Sequence, residues 1–316
     1  MKYLVLGTGG VGGSMAAFLA TADKDVSCIA RGEHLETIQK NGLTLHSDLK
    51  RVIQSIPIPA YSGDGYMEMV SKKGESAKPD VIIVAVKGYS LQSIVPILET
   101  VSKPTTLVIP ILNVFGTGKQ LQEMLHGVVS VLDGCIYIQA FRQAPGYIRQ
   151  QGKVFHLVYG ARPEQRIPAA RQEQVAMDLR SAGIQVTVSD DIRRDTFIKW
   201  GFISAMACTG AFFDCPMGQL QHQGPERQLF CGLIRESYAI GNKLGIHMPG
   251  DYMIHNLSLI DHCKPDTTTS MQKDISSHHE SEIQGQLFMM AELGKKLGVD
   301  IPNYTRVCER FKELLR

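Results

Sequence analysis

No two of the seven cysteines (Cys28, Cys135, Cys208, Cys215, Cys231, Cys263, Cys308) form a Cys-x-x-Cys pair, and their number is odd. That argues against a disulfide framework and suits reduced thiols in a cytoplasmic protein. Long apolar runs are also missing: none approaches the ~20 residues of a membrane-spanning helix. The opening MKYLVLG breaks at Gly7, too soon for a signal-peptide core, and reads better as a buried first strand. Charge of neither sign dominates, with 33 Lys and Arg against 31 Asp and Glu. There is therefore no electrostatic case for a nucleic-acid or anionic-membrane partner. Low-complexity tracts and internal repeats are absent.

Metal-ligand patterns are missing too. Asp251 and His255 lie four apart without further ligands, and His278-His279 would diverge on a helix, so no metal is expected. FGTGKQ at 115–120 lacks the hydroxyl residue that a P-loop places after its lysine.

What is present falls into two halves, and 316 residues suffice for two domains. Runs at 3–7, 25–30, 80–86 and 105–112 are apolar enough for central strands of a parallel sheet, with helix patterns at 11–22 and 90–101 between them. From about 127 to 160 strand follows strand, then come a helix near 164–182 and a strand at 184–188. Beyond Ser189 only helices are expected: 191–212, 225–244, 250–261, 270–296 and 302–315. The fold class is α/β: a Rossmann-like doubly wound sheet over 1–189, then an all-helical domain over 190–316. A cleft between two such domains is the expected place for an active site.

GTGGVG (Gly7, Thr8, Gly9, Gly10, Val11, Gly12) satisfies Gly-x-Gly-x-x-Gly directly after a strand and at the start of a helix. Glycines there allow a tight turn and close approach of a pyrophosphate, which the helix N-terminus attracts. At the end of the second strand an NAD enzyme usually carries Asp or Glu, whereas this chain has Arg31. A guanidinium suits a 2′-phosphate, so NADP is favoured over NAD. The competing reading is a surface arginine, with Glu33 or His34 taking the ribose.

Lys199 stands out in TFIKWGFISAM (196–206), because its helical neighbours are mostly apolar. Its stem either snorkels out of that surface or carries the ammonium into a cleft.

With GTGGVG, Arg31, VK (86–87), LNVFGTG (112–118), PGYI (145–148), IKW (198–200), DCPMGQL (214–220) and SMQKDI with SEIQG (270–285), the chain resembles the ketopantoate reductase (2-dehydropantoate 2-reductase) family over nearly its full length. The resemblance implies NADPH-dependent reduction of a small 2-oxo acid, 2-dehydropantoate to pantoate, in pantothenate biosynthesis. It makes Lys199 the general acid, puts Asn113 near nicotinamide and substrate, and places Lys87 beside the cofactor. Ser270 would hold the substrate carboxylate, and Glu282 would meet the ribose hydroxyls. Helical domains of this kind often dimerise, so a homodimer is compatible.

Each role has a plainer competitor. Asn113 could cap a helix near Thr117, Ser270 could be an N-cap, and Glu282 could lie on a solvated face. On one continuous helix, Glu282 would stand about 18 Å from Ser270, which favours separate roles. At four positions the family's asparagines are replaced by Ile203, Ala207, Met217 and Thr267, with Thr267 a candidate substitute contact. Part of the polar substrate shell is thus missing, and another 2-oxo acid is the alternative. A non-catalytic NADP sensor is the reading from a different class, and it has no need of a proton donor.

Overall fold

The computed structural model describes residues 1–315. It divides into two compact units: Met1–Leu112 with Gly116–Ile192, and Asn113–Phe115 with the chain from Arg193 onward.

The first unit holds strands β1 (Lys2–Leu6), β2 (Asp25–Ile29), β3 (Leu43–Ser47), β4 (Val52–Ile56), β5 (Ala60–Tyr61), β6 (Val81–Val84), β7 (Leu107–Pro110), β8 (Ser130–Val131), β9 (Asp133–Ala144), β10 (Tyr147–Gly160) and β11 (Gln185–Val188). Its helices are α1 (Gly10–Ala20), α2 (Gly32–Asn41), α3 (Gly63–Lys73), α4 (Leu91–Val101), α5 (Thr117–Met124) and α6 (Ala169–Ser181). Six strands form a parallel sheet in the order β5-β2-β1-β6-β7-β8. The order reverses between β1 and β6, the switch point at which such sheets bind dinucleotides.

The continuous apolar runs follow from burial on both faces. Along β1, Tyr3 and Val5 enter one core while Leu4 and Leu6 enter the other. On β6 the division repeats, with Val81 and Ile83 on one side and Ile82 and Val84 on the other. Period-two alternation is therefore present, but both sets are apolar.

A second sheet was not anticipated. Its order is β11-β10-β3-β4, with β9 antiparallel to β10. Leu43, Leu45, Ile148, Phe155 and Leu157 of this sheet share a core with Met15, Phe18 and Leu19 of α1. Helix α1 is thus buried from Gly12 to Leu19, which explains its lack of a polar face.

The second unit is helical: α7 (Ile192–Phe213), α8 (Pro225–Lys243), α9 (Tyr252–Asp261), α10 (Ser270–Ser276), α11 (Met289–Lys296) and α12 (Pro302–Phe311), with a π-helical turn at Gln284–Phe288 ahead of α11. By length and composition alone α7 is apolar enough to cross a membrane, although Thr196, Lys199 and Thr209 interrupt its apolar run. Its Phe197, Trp200, Ala205 and Ala207 lie in the core of this unit.

The single helix expected over 270–296 is also corrected. Helix α10 stops at Ser276 and His278 takes a left-handed φ of 53°, so the rise-per-residue estimate between Ser270 and Glu282 does not apply.

Candidate active site

The loop after β1 has the form its glycines require. Gly7 sits at φ +91°, and a Cβ there would fall 2.9 Å from the Ala85 carbonyl oxygen. A Cβ on Gly12 would lie 2.0 Å from the Gly7 carbonyl oxygen, so the first turn of α1 can pack on the loop only without a side chain. Gly10 is fixed in the same way, since a Cβ on it would fall 2.4 Å from the Ala140 carbonyl on β9. Gly9 differs: it is exposed, caps α1, and a Cβ on it would meet nothing within 4 Å. Packing requires three of these glycines, whereas the fourth leaves open space beside the first-turn amides, which have no intrahelical acceptors. That cradle fits a pyrophosphate. Val11 is half-buried, and the buried Thr8 donates from Oγ1 to Ile29 O at 3.2 Å.

Arg31 is exposed, in extended conformation at the N-cap of α2, and its side chain does not cap the helix. Of the two residues that the competing reading offered to the ribose, Glu33 is exposed and His34 has both ring nitrogens engaged. Its ring is buried, with Nε2 at 2.7 Å from Thr8 O and Nδ1 accepting from Gly146 N–H at 2.8 Å. Lys87 is half-buried and precedes a 3-10 turn at Gly88–Ser90.

In the second unit the structure brings two of the expected residues together. Lys199 on α7 is 4 % exposed, and its Nζ donates to Asn113 Oδ1 at 2.7 Å. Asn113 is therefore no helix cap; that position before α5 belongs to Gly116, with φ +79°. Residues that sequence reasoning gave no role hold the pair in place. Phe115 stacks on Trp200 at 5.8 Å and meets Phe197 edge-on at 5.2 Å, which ties the 113–115 segment to α7. Trp200 in turn donates from Nε1 to Gly285 O at 3.0 Å, and a Cβ on Gly285 would lie 2.6 Å from Val114. The motifs NVF, KW and QG carried that signal, but only the fold pairs them.

Glu282 is buried, and its carbonyl accepts from Gln286 N–H at 2.9 Å as the π-helical turn begins. It does not lie on a solvated face. Ser270 is exposed and is the first residue of α10, not its cap. The cap is Thr269, which forms a reciprocal capping box with Gln272. Thr267 is half-buried, and its carbonyl accepts from Met217 N–H at 2.9 Å. Two positions that depart from the family pattern are thereby neighbours. Met217 also reaches toward α7, with its Cε 2.8 Å from the place of a Cβ on Gly210. Ile203 lies one turn beyond Lys199, and Ala207 another turn on and fully buried. Among the described residues no cluster of three His, Cys, Asp or Glu could hold a metal.

Residues 3–164 match the family "Ketopantoate reductase PanE/ApbA", and residues 191–314 match its C-terminal counterpart. The 2-dehydropantoate 2-reductase of Mesorhizobium japonicum is 29 % identical, over 99 % of this chain and 98 % of its own. A solved 2-dehydropantoate 2-reductase from Methylococcus capsulatus superposes with TM-score 0.85 at 22 % identity, covering 99 % of this chain and 96 % of its own. D-mandelate dehydrogenase, solved with NADH and anilino(oxo)acetate, gives 0.84 at 20 % identity, covering 98 % and 96 %. At those identities the two structures establish the fold. The chain belongs to the ketopantoate reductase family and is an oxidoreductase, of a family that works with a nicotinamide cofactor on small 2-oxo acids.

Proposed function

We propose that this chain reduces 2-dehydropantoate to pantoate with NADPH. The observation that carries the reading is the buried Lys199 Nζ held by Asn113 Oδ1 at 2.7 Å. When bound, the cofactor supplies a hydride to the 2-oxo carbon. Lys199 gives its proton to the 2-oxo oxygen, which completes the hydroxyl. Because the ammonium is buried, its charge acts on the developing alkoxide with little screening by water. Asn113 fixes where that proton points, and its amide N–H bonds face away from Lys199. The main chain of residues 7–12 would hold the pyrophosphate, Arg31 the 2′-phosphate, Lys87 the neighbouring part of the cofactor, and Glu282 the ribose hydroxyls. Ser270, with Thr267 beside it, would take the substrate carboxylate.

A second reading keeps the chemistry and changes the acid. It is favoured by Ala207 and Met217, both fully buried and apolar, and by Ile203 one turn from Lys199. No hydroxyl on a substrate would find an amide at these positions, and an unpaired polar group costs about 1–3 kcal/mol. The test is loss of NADPH absorbance with 2-dehydropantoate and a panel of 2-oxo acids with apolar side chains. A kcat/KM highest for 2-dehydropantoate supports the first reading, and a higher value for an apolar acid supports the second. NADPH binding without turnover on any acid would sink both.

A further inference from the structure

The mechanism above makes no use of His34, a histidine 5 % exposed on the first turn of α2. Both ring nitrogens are engaged. Gly146 N–H donates to Nδ1 at 2.8 Å, so Nδ1 carries no proton. The proton therefore sits on Nε2, which donates to the Thr8 carbonyl at 2.7 Å. This neutral ring bridges the loop after β1 and the turn between β9 and β10.

Thr8 C=O and Gly9 N–H belong to one trans peptide and point in opposite directions. Holding Thr8 O against His34 turns the Gly9 amide to the side away from the ring. Gly9 is the exposed glycine with open space beside it. The other anchor is firm. Gly146 has φ +68°, a Cβ there would fall 2.5 Å from Thr37 Cγ2 on α2, and its carbonyl accepts from Thr44 N–H at 2.8 Å.

We propose that His34, through its Nε2–H tautomer, is a positioning residue that sets the direction of the Gly9 amide and thereby the affinity for the cofactor pyrophosphate. This rests on the reading of residues 7–12 as the cofactor loop. Protonation of Nδ1 would set a donor against the Gly146 N–H and break the bridge. Burial lowers the ring's pKa below its ordinary value, and Arg142 on β9 pushes the same way, while the Thr8 carbonyl opposes them. The loop itself carries no ionisable side chain. The turn contributes only Tyr147, whose hydroxyl lies 3.4 Å from His46 Nδ1, and Arg31 and Glu33 at the start of α2 are exposed.

The test uses the full chain, with NADPH affinity measured by fluorescence titration from about pH 7.5 down to the lowest pH at which circular dichroism reports a folded protein. His34→Ala should raise the NADPH Kd about tenfold, while kcat at saturating NADPH moves less than about twofold. In His34→Gln the carboxamide can accept from Gly146 and donate to Thr8 without titrating. The 2′-phosphate also titrates near pH ~6, so the informative quantity is the ratio of wild-type to His34→Gln Kd. That ratio should rise severalfold once pH falls below the ring's own pKa, which lies under the ordinary histidine value. A ratio flat with pH overturns the proposal, as does an unchanged Kd in a folded His34→Ala. Should His34→Ala fail to fold, the ratio decides alone. If the wild type binds no NADPH, the cofactor-loop reading fails and this proposal with it. NADPH binding that ignores His34 overturns this proposal only.

Discussion

Lys199 Nζ and Asn113 Oδ1 are 2.7 Å apart although 86 residues separate them in the chain. The pair exists because Asn113–Phe115 leaves the chain's first unit and packs with the second, where Phe115 stacks on Trp200. The Lys199 ammonium is thus held by a residue from the loop between β7 and α5.

Removing the donor should separate chemistry from cofactor binding. Lys199→Met is expected to lower kcat by about 10²–10⁴, with NADPH affinity kept within about twofold. Asn113→Ala keeps the ammonium and loses its aim, so a smaller drop of about tenfold in kcat is expected. Steady-state rates and NADPH fluorescence titration on the same preparations check both.

Arg31 is exposed and caps nothing with its side chain, so its loss should leave the fold unchanged. Arg31→Ala is expected to raise KM for NADPH by about ten- to a hundredfold and to leave KM for NADH almost unmoved. Equal losses with both cofactors would remove Arg31 from the 2′-phosphate.

Two glycines of the loop should respond differently to the same methyl group. On Gly12 it would lie 2.0 Å from Gly7 O, so Gly12→Ala must displace backbone, and about 1–3 kcal/mol of stability should be lost. On Gly9 it meets nothing within 4 Å, so Gly9→Ala should keep the wild-type melting temperature while NADPH affinity falls by tenfold or more, about. Thermal melts and titrations on the pair distinguish a packing glycine from a ligand-facing one.

Glu236 on α8 is buried and accepts from Asn303 N–H and Tyr304 N–H, at 2.7 and 2.9 Å, at the start of α12. Burial raises its pKa, and these donors pull against that. The folded state therefore holds a proton that the unfolded state has released, and stability falls as pH rises from the ordinary glutamate value to the raised one. Glu236→Gln should remove that slope. The amide stands in for the protonated carboxyl, the form that burial favours in the fold, so stability near neutral pH should not fall. Urea melts across pH check slope and offset together.

Strands β1, β6 and β7 were legible because each is buried on both faces, which writes an unbroken apolar run into the sequence, whereas the two-residue β5 was not. The glycine loop after β1 was legible because its spacing is a local steric requirement, and Lys199 because its helical neighbours are apolar. The hairpin of β3 and β4 was not, since Ile53, Gln54 and Ser55 are exposed and the strands owe their existence to pairing with each other and with β10. Nor was the break at His278, where the chain adopts a left-handed conformation that a helical pattern does not announce. His34 read only as an alternative ribose contact beside Arg31, because the carbonyl and amide that engage it lie 26 residues before it and 112 after. Steric need and periodicity act between near neighbours, so the sequence by itself determined the loop, the parallel sheet and the lysine. Hydrogen bonds and ring stacking between distant segments form only on folding, so tertiary structure alone decided what aims Lys199 and what holds Thr8.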